Sequence, residues 1–497
     1  MTIMMPAADQ SVLNRRDAII ADLSAIVPGE GVISSAAEML PYESDGLTAY
    51  RQPPMVVVLP ETTEQVSRVL KYCFANGIKV VPRGSGTSLS GGALPLKDAV
   101  LLGLGKFKRI REIDFENRVV VTEPGVTNLA ISQAVAHAGF YYAPDPSSQI
   151  ACSIGGNVAE NSGGVHCLKY GLTVHNVRRV RGVLIDGSVV EFGGDALDGP
   201  GYDLLALITG SEGLLAVITE ITVKLLPKPT CARVALAAFD DLEKAGAAVG
   251  AIIGAGIIPA GLEMMDQPAT RAVEAFVHAG YPLEAAAVLL VESDGVAEEV
   301  AAEMDEIKRV LSANGATEIR VSRDEAQRLL FWSGRKAAFP AVGRISPDYY
   351  CIDGTIPRRA LPAVLKRIEQ WSVEYGLRCA NVFHAGDGNL HPLILFDANV
   401  PGESASAVAF GDRILELCIE VGGTVTGEHG VGVEKLKTMC TQFGAPELAR
   451  FHGIKAAFDP QGLLNPGKAV PTLARCAEFG RMPVHGGVLR HPETPRF

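Results

Sequence analysis

Pro82-Arg83-Gly84-Ser85-Gly86-Thr87-Ser88-Leu89-Ser90-Gly91-Gly92 follows directly on the apolar, β-rich run Ile78–Val81. Glycine lets consecutive backbone N–H groups converge on an anion, and the hydroxyls add further donors. This is phosphate-binding chemistry placed at the end of a strand. It is not the Rossmann fingerprint, because Leu89 stands where a third glycine is needed, and no Gly-Lys-Ser/Thr follows to make a Walker loop. A loop of this composition is costly to order without a ligand. A second such stretch runs through Pro144-Asp145-Pro146-Ser147-Ser148-Gln149 and Cys152-Ser153-Ile154-Gly155-Gly156-Asn157-Val158-Ala159-Glu160-Asn161-Ser162-Gly163-Gly164. Two loops are what a long dinucleotide requires, one for the pyrophosphate and one along the ring system. Thr209-Gly210-Ser211-Glu212-Gly213 repeats the style.

Around these loops, helix and strand signals alternate. Met55–Leu59 reads as a strand. Thr62 caps a helix in which Val66, Val69, Leu70 and Cys73 recur at helical spacing, and Gly77 stops it. Strands follow at Val100–Leu104 and Val119–Thr122, then a helix from about Thr127 to His137 and a hairpin over 177–192 around Asp186-Gly187. A strand over 214–226 ends at Pro227 and Pro229, where a domain boundary is placed. Beyond it, strand 232–239, helix 241–254 and strand 260–265 read as one β-α-β unit. Strand 286–292 leads into the helical stripe Val296, Val300, Met304, Ile307, Leu311, and a strand over 317–321 follows. Strand 349–356, helix 358–375, strand 378–384, strand 391–396, helix 404–420 and strand 423–426 continue the series. The pattern predicts an α+β domain with one sheet backed by helices. The tail 471–497 reads as peripheral.

Composition narrows the function classes. The net charge of −11 offers no basic footprint for nucleic acid. Nine scattered cysteines without a Cys-x-x-Cys pair predict free thiols in a reducing compartment and no iron–sulfur cluster in this chain. The polar N-terminus lacks a signal-peptide core. Residues 245–262, AGAAVGAIIGAGIIPAGL, imitate a membrane span. They are mostly Ala and Gly, short for a span and split by Pro259, so they read as a helix and a strand.

The richest chemistry lies in His384-Ala-Gly-Asp-Gly-Asn-Leu-His391 and in Gly427-Glu428-His429-Gly430. In one straight strand, His384 and His391 would face opposite sides. The turn Gly386-Asp387-Gly388-Asn389 folds the chain back so that both can point one way. Two His and a carboxylate make a divalent-metal triad, with His429 left as a base, and the donor set suits Zn, Fe or Mn.

The three glycine-rich segments and their order resemble the flavin domain of the vanillyl-alcohol-oxidase-type (PCMH) FAD enzymes. The His384–His391 and Gly427–Gly430 motifs, with Phe458-Asp459-Pro460-Gln461-Gly462-Leu463-Leu464-Asn465-Pro466-Gly467-Lys468, resemble the FAD-linked oxidase C-terminal domain. Ser346-Pro347-Asp348-Tyr349-Tyr350-Cys351-Ile352-Asp353-Gly354-Thr355-Ile356-Pro357 is similar to the D subunits of bacterial glycolate oxidases. The resemblance implies an α+β architecture: a two-part PCMH-type FAD-binding domain over 20–228, and an α+β cap domain over 229–470 whose antiparallel sheet is backed by helices. Residues from about 455 to 470 would return to the flavin.

It further implies that FAD is held by Pro82, Arg83, Gly84, Ser85, Gly86, Thr87, Ser88, Pro144, Asp145, Ser148, Gly155, Gly156, Asn157, Asn161, Gly163, Gly164, Glu212, Ile218 and Asn465. Non-covalent flavin is favoured, since loop 83–92 has no His, Cys or Tyr, although Cys152 and Cys167 flank the second segment. His384, His391 and Glu428 would bind the metal, His429 would be the base, and Asn389 would help hold the substrate. Arg335 would pair with its carboxylate, with Arg344 as a rival. The members of the family that act on D-2-hydroxyglutarate carry a Lys near the position of Tyr350. Tyr349-Tyr350-Cys351 therefore argues for a small monocarboxylate.

The expected reaction is FAD-dependent oxidation of a small 2-hydroxy acid, glycolate to glyoxylate ahead of D-lactate or D-2-hydroxyglutarate. The expected partners are a second flavin-type subunit and an iron–sulfur subunit. The location would be cytoplasmic, up to the inner face of the membrane, with membrane association no more than peripheral. A non-catalytic electron-transfer or assembly subunit is the alternative from another class. The retained His384, His391, Glu428 and His429 speak against it, because a scaffold needs none of them.

Overall fold

The computed structural model describes residues 5–196, 199–472, 476, 484–485 and 488–489. The chain forms two compact units. One comprises residues 2–162, 172–227 and 429–497, and the other residues 163–171 and 228–428.

The first unit holds two sheets. Its four-stranded sheet runs Val32–Ile33, Val56–Val58, Ala99–Gly103, Lys79–Arg83, parallel except for the first pair. The run that precedes the first glycine loop is therefore an edge strand, and its end delivers Pro82 and Arg83 to that loop. The helix Thr63–Asn76 starts where Thr62 Oγ1 accepts from Gln65 N and stops at Gly77 in left-handed backbone (φ 66°). It buries Val66, Val69, Leu70 and Cys73 against Val56, Val80 and Val100. Each such fully buried aliphatic side chain contributes roughly 1.5–3 kcal/mol. The five-stranded antiparallel sheet runs Ile110–Asp114, Val119–Thr122, Val217–Lys224, Val177–Val183, Val189–Gly193. Its last two strands are the hairpin signalled by Asp186-Gly187, with Gly187 at φ 89°.

The second unit is built on a seven-stranded antiparallel sheet ordered Glu318–Val321, Cys231–Phe239, Ala287–Gly295, Gly261–Asp266, Cys379–His384, Asn389–Phe396, Asp348–Cys351. The predicted β-α-β unit is split: Cys231–Phe239 and Gly261–Asp266 do not pair but flank Ala287–Gly295, to which both are antiparallel. The membrane-like stretch forms the helix Leu242–Gly254, capped by Asp241, and then turns into the strand Gly261–Asp266. Among the described residues no helix is long and apolar enough to cross a membrane.

The strand expected over 349–356 stops at Cys351, and no strand forms over 423–426. Thr355 and Thr424 instead make a single two-residue bridge, and Asp353 captures the backbone N–H groups of Gly427 and Glu428. The helices Gln267–Val277 and Glu325–Lys336 escaped the sequence reading; each is started by an Asp N-cap, Asp266 and Asp324. Residues 163–171 group with the seven-stranded unit because His166 meets Glu292 while Lys169 and Tyr170 bond Asp294.

The expectation that all cysteines are free is overturned by a disulfide between Cys440 and Cys476, which leaves seven free thiols. Cys476 is accordingly buried rather than peripheral. A short pairing of Val484–His485 with Val488–Leu489 is also described, and most of the remaining tail lies outside the described residues.

Candidate functional site

In the first unit the two glycine segments converge. A Cβ on Gly84 would lie 2.4 Å from Ser153 Oγ, so only glycine fits there. Ser153 Oγ is buried and has no hydrogen-bond partner among the described residues. An orphaned hydroxyl where two glycine loops meet fits an oxygen-rich ligand such as a pyrophosphate. Gly86 sits at φ 71°, and any side chain there would strike the Arg83 guanidinium. Arg83 Nη1 donates to Ser44 O at 2.8 Å, and Ser88 Oγ lies 3.3 Å from Ser90 Oγ. Thr87 and Ser85 lie in the same loop.

The second segment is fixed from behind. Gly155 is packed on Pro124, and Asn157 bonds Asn128, Cys152 and Ser162. Asn128 Nδ2 also donates to Pro144 O, and Ser148 O accepts from Ala151 N and Cys152 N. Asp145 belongs to this turn, Gly156 to the helix Ile154–Glu160, and Ile218 is buried in Val217–Lys224. Burial pushes the Cys152 thiol up, away from the reactive thiolate.

Among the described residues, three of the six non-glycine residues in left-handed backbone are predicted cofactor residues: Asn161 (φ 54°), Glu212 (φ 50°) and Asn465 (φ 45°). Such backbone costs on the order of 1–3 kcal/mol and concentrates at ligand sites. Glu212 accepts from Val431 N and Gly432 N, both at 2.7 Å, and Asn465 Nδ2 donates to Glu212 O and Gly92 O. Lys468 Nζ donates to the same Gly92 O, and burial pushes its pKa down to about 7. Burial, then Glu212 and Asp45, hold the Glu160 carboxyl well above the carboxylate range.

In the second unit the two histidine candidates for the metal lie on one hairpin. Cys379–His384 pairs with Asn389–Phe396, with Val382 opposite His391 and His384 opposite Asn389, so the two histidines share a face. The turn depends on Gly388 at φ 85°, where a Cβ would lie 2.2 Å from Ile356 O. His384 Nε2 and His391 Nε2 lie 3.3 and 3.0 Å from the same Glu428 Oε1. The three donor atoms fall within 4.8 Å of one another. The remaining positions are held from outside: His384 Nδ1 by Glu263 Oε1 at 2.8 Å, His391 Nδ1 by Ile352 O at 3.3 Å, and Glu428 Oε2 by Gly163 N at 3.1 Å. Both Nε2 atoms and one carboxylate oxygen are thus presented together, the donor set of a His₂-carboxylate metal centre. Burial opposes both charges. Even so, Glu263 and Glu428 raise the His384 pKa well above its ordinary value, and the two imidazoles hold Glu428 well below the usual carboxylate range.

Gly163 and Gly164, expected at the flavin, belong to this unit, and Gly163 serves Glu428. His429 follows Glu428 directly, and its carbonyl accepts from Ser90 Oγ at 2.9 Å. Asn389 Nδ2 donates to Asp353 Oδ1 at 2.8 Å and to Gly354 O, so the donor end of its amide serves the scaffold. Arg335 is 1% exposed and its Nε donates to Glu263 Oε2 at 2.6 Å, while Nη2 has no partner among the described residues. Its rival Arg344 is exposed and lies over the Phe276 ring at 4.5 Å.

The sequence reading assigned no role to two carboxylates. Asp353 accepts from Asn389 Nδ2, Thr426 Oγ1, Gly427 N and Glu428 N. Glu263 joins Arg335 to His384. An acid flanked by Leu262 and Met264, in a strand buried at every position, was the available signal for Glu263.

Residues 54–193 match the FAD binding domain, and residues 228–469 match the FAD linked oxidases, C-terminal domain. Glycolate oxidase subunit GlcD of Escherichia coli (strain K12) is 61% identical over 482 residues, which cover 97% of each chain. A D-lactate dehydrogenase of Anaerostipes hadrus is 33% identical over 424 residues, covering 84% of this chain and 89% of that one. Among solved structures, substrate-bound p-cresol methylhydroxylase superposes with a TM-score of 0.79 at 18% identity, covering 95% of this chain and 99% of that one, a likeness of fold. The chain belongs to the FAD-linked oxidases.

Proposed function

We propose that the protein oxidises a small 2-hydroxy acid, glycolate foremost, to the 2-oxo acid with FAD as its electron acceptor. The observation that carries this reading is the convergence of His384 Nε2, His391 Nε2 and Glu428 Oε1 in a chain 61% identical to a glycolate oxidase subunit. FAD, held by loops 83–92, 144–162 and 209–213 and by Asn465, would supply a two-electron acceptor for the α-hydrogen. A divalent metal of the Zn, Fe or Mn class, held by His384, His391 and Glu428, supplies the positive charge that acidifies the substrate hydroxyl.

The chain's own residues do the rest. His429 takes the hydroxyl proton at an imidazole nitrogen. Arg335 meets the carboxylate with the end of its guanidinium that Glu263 leaves unused, and this fixes the orientation of the α-C–H. Asn389 keeps only its amide oxygen for the substrate. Buried, hydrogen-bonded Cys152 supports non-covalent flavin. Nine cysteines without a cluster motif leave onward electron transfer to other subunits, a second flavin-type chain and an iron–sulfur chain. That assembly would work in the cytoplasm, up to the inner face of the membrane.

The test is anaerobic flavin reduction by glycolate, D-lactate and D-2-hydroxyglutarate. Glycolate should bleach the flavin fastest, and His429→Ala should keep its FAD and lose the bleaching. Fastest reduction by D-2-hydroxyglutarate would overturn the monocarboxylate assignment, and normal bleaching by His429→Ala would overturn the base.

A further inference from the structure

We propose that Glu263 is a positioning residue that ties the substrate-carboxylate arginine to the metal ligand His384. This inference rests on the metal and substrate roles proposed above. The strand Gly261–Asp266 is buried at every position, and Glu263 is the one member whose two carboxylate oxygens are divided between two functional side chains. Glu263 Oε2 accepts from Arg335 Nε at 2.6 Å, and Oε1 lies 2.8 Å from His384 Nδ1. Glu263 and Arg335 are each 1% exposed, and His384 is 4% exposed.

The division has two consequences. A carboxylate is an acceptor, so its bond to Nδ1 keeps a proton there, and Nε2 is the nitrogen that faces the site shared with His391 and Glu428 and would give its lone pair to the metal. On the other side, Glu263 fixes the guanidinium through Nε alone. Nη2, buried and without a partner among the described residues, is left for an incoming anion. One buried carboxylate thus orients both the arginine that meets the substrate carboxylate and a ligand of the metal. The pair is also costly to break on one side, because a buried charge would lose its counterion.

Glutamine at this position keeps the size but has one acceptor and one donor. It cannot accept from Arg335 Nε and His384 Nδ1 together. Metal content and metal affinity are measured by chelator competition on the purified, FAD-loaded protein, with Zn²⁺ as the probe. Glu263→Gln should weaken Zn²⁺ binding by about 10–100-fold and raise KM for glycolate, with the flavin spectrum unchanged. Glu263→Asp keeps the charge but is too short to reach both partners, and should weaken Zn²⁺ binding as well. His384→Ala is the control.

If His384→Ala loses Zn²⁺ while Glu263→Gln binds it as tightly as the parent, the positioning role is wrong and the metal site stands. If His384→Ala also keeps Zn²⁺, the metal reading itself fails. If both Glu263 variants emerge without FAD, Glu263 is a folding residue and the inference is overturned.

Discussion

Asp353 is the residue on which the carboxylate side of the proposed metal site depends. Its buried carboxylate accepts from the Asn389 amide, the Thr426 hydroxyl and the backbone N–H groups that lead into Glu428. Asp353→Asn replaces one acceptor oxygen with a donor facing these donors. It should cost about 2–4 kcal/mol in stability, because buried donors are left unpaired, and should release metal more readily. Chemical denaturation together with metal analysis checks both, and an Asn variant with parental stability and metal content would contradict this role. The sequence made His384, His391, Glu428 and His429 legible because unusual residue types stood in glycine-rich segments. It could not show Asp353 or Glu263 in their roles. Each is a single acid whose meaning lies in donors 36 to 121 positions away, and spacing carries no record of such contacts.

At the scale of elements, the hairpin joining Cys379–His384 to Asn389–Phe396 places the two histidines of the proposed metal site, and Gly388 makes its turn. Gly388→Ala would set a methyl against Ile356 O in left-handed backbone, at a cost of about 1–3 kcal/mol. A lower melting temperature with reduced metal retention is the expected outcome. The helix Glu325–Lys336, which carries Arg335, is anchored by Glu292, whose carboxylate accepts from Arg328 Nη1 at 2.8 Å and from Trp332 Nε1 and faces His166 Nε2. Burial pushes the Glu292 pKa up, but His166, Arg328 and Trp332 outweigh it and lower it from 4.5 to about 2. A depressed carboxylate stabilises the fold above its unfolded pKa. About 3 kcal/mol is therefore present above pH ~4.5 and lost as the pH falls towards ~2. Glu292→Gln should remove this share of the acid sensitivity, which urea melts between about pH 6 and about pH 3 would read.

That helix was illegible in the sequence because Leu329, Leu330, Phe331 and Trp332 run consecutively instead of recurring at helical spacing. Its structure comes from the Asp324 cap and from packing against the sheet, a tertiary effect that periodicity does not carry. Conversely, the helices Thr63–Asn76 and Ala297–Ala313 were legible because each buries a regular stripe.

For the whole molecule, the order of the segments was the readable quantity: glycine loops first, the antiparallel sheet unit next, and the Asn465-bearing return last. The chain closes back on its first unit from His429 onward, and the Cys440–Cys476 disulfide secures part of that return. This loop spans 36 residues, and closing a loop of that length constrains the unfolded chain by up to about 4 kcal/mol. Reduction, or Cys440→Ser, should lower the melting temperature measurably, while unchanged melting would show that the bond adds nothing.

The central claim joins a flavin to a metal-held 2-hydroxy acid, and one measurement tests it most directly. Purified protein is reduced anaerobically with glycolate while flavin absorbance is followed, before chelation, after chelation, and after metal is restored. The account predicts a yellow protein that bleaches, loses that response with its metal while keeping FAD, and regains it on reconstitution. A colourless protein, or bleaching at the same rate without metal, would contradict it.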